Sequence, residues 1–273
     1  MGRGFDSLLL HLWPVTQWQS RSLLRIRLEV RPLPGQQQEG VYMKNVLDHG
    51  YVRTVHVMGT DLDVVNAARV SFDKEVSELS DKDENLIKYL VEHKHDAVFR
   101  HCVMTFEIYA PLMVARQWYK HAVASSHLDD QFGWNESSRR YITENEQFYV
   151  PRPQNWRAAP QDKKQGSGQN LAPDAGAIYT RQLQRIVDSG YMMYRMALSD
   201  GIAPEQARLL LPAYSMYVRW RWTASLNALL HFIALRNESH AQYEIQEYAG
   251  VILEEVSSAY PLTTKYWLEH RIS

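Results

Sequence analysis

Two periods of apolar residues run through the chain. Val103-Met104-Thr105-Phe106-Glu107-Ile108-Tyr109 alternates with period two and predicts a strand. Val46-Leu47 and Tyr51-Val52-Arg53-Thr54-Val55 flank Asp48-His49-Gly50, as the arms of a hairpin flank its turn. Helical spacing appears in Val64, Val65 and Ala68 after a capping Asp61, and in Leu86, Tyr89, Leu90 and His93 after Asp81 and Asp83. Pro111 suits the first turn of a helix holding Arg116 to His121, and helical spacing returns over Ile178 to Leu198. Pro204 opens a short helix, Glu205 to Leu211, closed by Pro212. Leu226, Leu229, Leu230, Ile233, Ile245, Tyr248 and Ile252 predict long, interrupted helix from Thr223 to about Val256, whereas residues 151–175 read as loop. The expected class is α+β, rich in helix, with a modest sheet.

Residues 1–42 differ in texture, with scattered arginines and the run Pro32-Leu33-Pro34-Gly35-Gln36-Gln37-Gln38. They read as a poorly ordered N-terminal extension, and residues 43–273, opening at Met43, as the folded domain. The 45% apolar content of 273 residues suffices for a substantial core. A net charge of -1 argues against a nucleic-acid polymer as partner but leaves room for local arginines to hold one or two phosphates. With Cys102 as the single cysteine, an intrachain disulfide and a cysteine zinc site are excluded. This usage suits the cytoplasm, and no apolar run reaches membrane-spanning length.

Composition changes the picture most at two clusters, Ala115-Arg116-Gln117-Trp118-Tyr119-Lys120-His121 and Trp134-Asn135-Glu136-Ser137-Ser138-Arg139-Arg140-Tyr141. Cations, hydroxyls and amides interleaved with aromatics suit a phosphorylated, planar, hydrogen-bonding ligand, that is, a nucleotide.

In order, Ala67-Ala68-Arg69-Val70-Ser71-Phe72-Asp73, Ala115 to Trp118, Asn135 to Tyr141, Pro204 to Pro212 and Leu235 to Ile245 resemble the flavin-dependent thymidylate synthases from about Met43 to Tyr260. The resemblance implies that family's helix-rich α+β fold, with a small antiparallel sheet and long helices. It implies a homotetramer with active sites between subunits, FAD as cofactor, dUMP as substrate, and methylenetetrahydrofolate and NADPH as co-substrates. No Gly-x-Gly-x-x-Gly follows a strand, so a Rossmann site for the flavin is not expected.

Residue by residue, the resemblance assigns Gln117, Trp118, Tyr119, Lys120, Glu136, Ser138, Arg140, Arg208 and Arg236 to the nucleotide. It assigns Ser71, His95, His121, Val123, Glu136, Ser225, Asn227 and His231 to FAD. Departures cluster on the cofactor side. Lys120-His121-Ala122 stands where the family reads Arg-His-Arg, and Ser126 to Trp134 is inserted before Asn135. Arg100 or Arg139 is expected to restore part of the lost charge, and the insert to act as a lid with Gly133 as hinge and Trp134 as a stacking face.

Methylation at C5 of a uracil needs electron density driven to that carbon, by thiolate attack at C6 or by electrostatic activation of the ring. Cys102, between His101 and Val103 at a strand start, reads as a small buried hydrophobe. Arg236, a permanent planar cation, is the catalytic candidate, a role the resemblance supports. His93, His95 and His101, and His240 with Glu244, make no complete metal shell, so no metal is expected. The leading function is reductive methylation of dUMP to dTMP. The alternatives are methylation of UMP, hydroxymethylation of dUMP, and a silent nucleotide-binding scaffold.

Overall fold

Alternation between Met104, Phe106 and Ile108 and their polar neighbours organises the molecule, because it gives one sheet a buried and an open face. The computed structural model describes residues 43–124, 133–137, 146–160 and 166–271; the expected extension at 1–42 lies outside them. The strands are β1 (Met43–Val46), β2 (Gly50–Met58), β3 (Val103–Pro111), β4 (Gly133–Glu136) and β5 (Tyr217–Ser225). They form one antiparallel sheet in the order β1-β2-β3-β5-β4. The helices are α1 (Asp61–Arg69), α2 (Asp81–Glu92), α3 (Leu112–Ala124), α4 (Pro173–Ser199), α5 (Pro204–Ala207), α6 (Leu226–Arg236), α7 (Tyr243–Ala259) and α8 (Pro261–Arg271). None of them is long and apolar enough to cross a membrane.

The β1-β2 hairpin forms where expected, pairing Met43 with Arg53 and Val46 with Gly50. Gly50 is required there, since a Cβ would lie 1.8 Å from the Tyr248 hydroxyl. Central strand β5 was not expected, and its last residues, Thr223 to Ser225, make the helix predicted from Thr223 start later. Tyr217 to Ser225 alternates, with Trp220, Trp222 and Ala224 buried and Arg219, Arg221 and Thr223 on the other face. The Ser225 hydroxyl accepts a hydrogen bond from Ala228 N–H at 3.3 Å, which starts α6 one residue later. Helix breaks again at 237–242, between α6 and α7.

Register places Phe106 opposite Trp222 and Ile108 opposite Trp220. Trp118 closes this layer, its ring 4.4 Å from Phe232 and edge-on to Trp220 and Trp222. Truncating so buried an indole costs about 3–5 kcal/mol. On the open face Arg53, Glu107 and Arg221 lie in one cross-strand row, with Arg53 Nη2 2.7 Å from Glu107.

Three local expectations are corrected. Thr60, not Asp61, precedes α1, with Asp63 accepting from Thr60 N–H at 2.7 Å. Buried Asp61 instead accepts from the Leu262 and Thr263 N–H groups at 2.8 and 3.0 Å, capping α8 far along the chain. Pro111 ends β3 rather than entering α3, and after α5 Arg208 to Leu210 tightens into one 3-10 turn.

Candidate active site

Helix periodicity splits the first polar cluster into two faces. Val114, Trp118 and His121 follow at helical spacing and are buried, whereas Arg116, Tyr119 and Lys120 are exposed. His121, 7% exposed, is thus the last member of an apolar stripe. Leu226, Leu229, Leu230 and Ile233 bury one side of α6, leaving Asn227 half-buried, His231 exposed and Arg236 half-buried in the last turn. The Arg236 Nε–H donates to His121 Nε2 at 2.8 Å, and the His121 and His231 rings lie 6.1 Å apart.

Burial, then the Arg236 and His231 charges, push the His121 pKa down to about 4, so the imidazole is neutral. With Nε2 accepting, the proton resides on Nδ1, which is buried and has no hydrogen-bond partner among the described residues. Burial also lowers the Arg236 pKa, without approaching neutralisation of a guanidinium. Arg236 has no carboxylate partner among the described residues, so the salt bridge with Glu238 that its sequence context allows does not form.

Beside this pair opens a cleft of about 630 Å³, lined by Gln117, Arg157, Arg236, Glu238, His240 and Gln242, among others. Three of its lining residues, Gln117, Arg157 and Gln242, belong to a polar chain centred on buried Glu244. Arg157 Nη2 donates to both carboxylate oxygens of Glu244 at 2.8 Å, and Gln242 Nε2 donates to Glu244 Oε2 at 2.7 Å. Tyr149 donates to the same carboxylate at 3.2 Å, and Gln117 Nε2 donates to Gln242 Oε1. Glu244 is 2% exposed, so its i+4 spacing from His240 does not lie on a solvated face. A second cleft of about 550 Å³ shares Arg157, Ser167 and Gln242 and is walled by Met113, Trp156 and Tyr214.

Of the residues assigned from sequence, the structure brings Gln117, His121, His231 and Arg236 together. Trp118 is corrected: its fully buried ring belongs to the core and offers no ligand surface. Ser225 is likewise buried, and its hydroxyl is engaged as the α6 cap. Tyr119 is exposed and packs edge-on to Trp134 at 5.3 Å. Trp134, half-buried, stacks on Trp220 at 4.9 Å. Lys120 and Arg208 are exposed and do not line the cleft, Arg208 Nε donating to the Glu205 carbonyl at 3.3 Å.

Glu136 ends β4 opposite Trp220 and lines a separate hollow of about 250 Å³ with Arg219 and Arg221. His95 is exposed, its ring 5.7 Å from Tyr89. Asn227 occupies the first turn of α6. Arg100 is half-buried in the 3-10 turn Val98–Arg100. Ser71 lies in the 3-10 turn Val70–Phe72 and Val123 in α3, their side chains outside the description. Ser138, Arg139, Arg140 and most of the Ser126 to Trp134 insert also lie outside the described residues.

Sequence reasoning missed Arg157, Gln242 and Glu244 as parts of the site. Gln242 and Glu244 stood within the Leu235 to Ile245 motif and could have been found there, but Arg157 sits in an aperiodic loop with no local signal.

The model of a family described as "Thymidylate synthase complementing protein" matches residues 53–262. The flavin-dependent thymidylate synthase of Wolbachia pipientis wMel is 38% identical over 225 residues, covering 82% of this chain and 76% of the relative. That of Thermotoga neapolitana is 37% identical over 225 residues, covering 82% and 94%. Among solved structures, the UMP/dUMP methylase PolB from Streptomyces cacaoi bound with 5-Br dUMP superposes with a TM-score of 0.71 at 28% identity, covering 84% of this chain and 99% of that one. The same methylase bound with 5-Br UMP gives a TM-score of 0.69. Joined to an ordered series of motifs and a cleft built from two of them, these matches show that the chain belongs to the flavin-dependent thymidylate synthase family.

Proposed function

We propose that the protein converts dUMP to dTMP by reductive methylation at C5, with methylenetetrahydrofolate as one-carbon donor, FAD as cofactor and NADPH as reductant. The observation that carries this reading is the Arg236 guanidinium, which reaches a 630 Å³ cleft without a carboxylate partner among the described residues. A planar cation beside a uracil stabilises negative charge spread over N3 and O2, and so raises the nucleophilicity of C5. Neutral His121 accepts from Nε–H and orients the guanidinium without cancelling its charge. Cys102 is buried, and burial pushes its thiol up to about 12, which argues against a thiolate route.

The residues present fit a flavin at one end of the site. The buried His121 Nδ1–H lacks an acceptor among the described residues, and the carbonyl and ring-nitrogen acceptors of a flavin are of the type it needs. His231 and Asn227, one turn apart on α6, would hold the same group. When bound, the reduced flavin supplies the hydride.

We further propose a homotetramer in the cytoplasm with active sites shared between subunits. Exposed Ile178, Tyr179, Ile186, Met192, Met193 and Met196 on α4 leave an apolar surface suited to another copy. Arg208 and Lys120, exposed and outside this cleft, would then serve a neighbour's.

The test is tritium release from C5-labelled dUMP with methylenetetrahydrofolate, FAD and NADPH. Release with dTMP as product is expected, and none from folded, flavin-loaded protein would overturn the proposal. UMP belongs in the same assay as a second reading, because the structural neighbour is named a UMP/dUMP methylase and is bound with analogues of both nucleotides.

A further inference from the structure

We infer that Glu244 and Gln242 act as positioning residues that fix the hydrogen-bonding sense of Gln117, so that Gln117 presents an acceptor to the nucleotide. The inference rests on the uridylate reading above and extends it to how the substrate is told apart from its analogues.

An amide side chain is a donor at one end and an acceptor at the other, and which end faces a ligand is undecided unless a neighbour decides it. Here the neighbour is a carboxylate. Glu244, buried and paired with Arg157 through both oxygens, can only accept. Gln242 must therefore turn its amide nitrogen to Glu244, which it does at 2.7 Å. Its Oε1 is then left for Gln117, which must answer with its own nitrogen. The Met113 carbonyl, 3.5 Å from the same Gln117 nitrogen, favours the same sense.

Gln117 Oε1 remains, with no donor to it among the described residues, on a side chain that lines the cleft. Reversing Gln117 would set oxygen against oxygen at Gln242, and reversing both amides would set oxygen against the carboxylate. Either sets like partial charges against each other at half-buried or buried groups and leaves them unpaired, a cost approaching about 1–3 kcal/mol at the buried end. Two amides thus carry the sense imposed by one buried charge to the cleft.

The group that meets Gln117 Oε1 must be a hydrogen-bond donor. dUMP offers two, the base N3–H and the sugar 3′-hydroxyl. Cytosine presents a lone pair at N3, and a 3′-deoxy sugar presents nothing. A site built around a polar group rejects the analogue that leaves that group unpaired.

The experiment measures binding of dUMP, dCMP and 2′,3′-dideoxyuridine monophosphate to flavin-loaded full-length protein and to its Glu244→Gln and Gln242→Met variants. An amide at 244 can donate or accept, and Met at 242 removes the link, so both variants lift the constraint imposed by the carboxylate and leave only the 3.5 Å Met113 contact to bias Gln117. In the unsubstituted protein at least one analogue is expected to bind roughly tenfold or more weakly than dUMP. In the variants that preference should fall below about threefold, whatever the change in absolute affinity. The analogue whose penalty collapses identifies the donor as base or sugar.

Preference retained in either folded variant, or equal binding of all three nucleotides by the unsubstituted protein, overturns the inference. If Glu244→Gln does not fold, Gln242→Met decides alone, since it leaves the Arg157 to Glu244 pair intact. Failure of the unsubstituted protein to bind dUMP would instead remove the uridylate reading beneath it.

Discussion

The hydrogen bond from Arg236 Nε–H to His121 Nε2, 2.8 Å long, determines the proton inventory of the site: it requires a neutral imidazole with its proton on Nδ1. The folded pKa of about 4 lies below the ordinary 6.5. Above pH 6.5 the histidine is neutral in folded and unfolded chains alike, so it places no load on the fold. As pH falls from 6.5 towards 4, the unfolded chain takes up a proton that the folded one refuses, and stability falls; below about 4 this contribution levels off. Urea midpoints of His121→Asn between pH 7 and pH 4.5 should therefore vary less than those of the unsubstituted protein. Equal variation would mean that other groups govern acid sensitivity.

Arg236→Lys keeps a charge but loses the planar fork and the Nε–H directed at His121. Turnover in the tritium-release assay should drop by about 10²–10³-fold, as for loss of one electrostatic stabiliser of a transition state, while dUMP affinity changes less. A loss below threefold would place ring activation elsewhere.

Cys102 Sγ is buried and directed at the Thr60 carbonyl at 3.5 Å, a structural setting. Cys102→Ala should retain turnover within about twofold and lower stability by about 1 kcal/mol. The thiol of the folded protein should resist alkylation until urea exposes it. Abolished turnover in folded Cys102→Ala protein would revive a thiolate mechanism.

Gly176→Ala sets helix propensity against packing. Alanine favours an isolated helix by about 1 kcal/mol. A Cβ at 176, however, would lie 1.8 Å from the Pro153 carbonyl oxygen, part of the backbone of the 3-10 turn Pro153–Asn155 against α4. Packing should win, with destabilisation of about 1–3 kcal/mol by thermal melting. A raised melting temperature would show that the turn yields freely.

Sequence by itself determined the elements whose information is local. The β1-β2 hairpin, strand β3 and helices α2 and α4 were legible because a turn tripeptide, a period of two or a period of 3.6 expresses itself within a dozen residues. Ordered motifs determined the family and pointed to Gln117, His121 and Arg236 before any contact was known. What the tertiary structure decided depends on residues distant in sequence. Tyr217 to Ser225 is a strand because β3 and β4 pair with it on both sides, and Asp61 caps α8 because two chain segments 201 residues apart meet there. Trp118 belongs to the core rather than the ligand, since helix geometry turns it towards Trp220 and Phe232. The neutrality of His121 and the sense of the Gln117 amide arise from burial and from partners at 236, 242 and 244, and no spacing rule within one segment could express either.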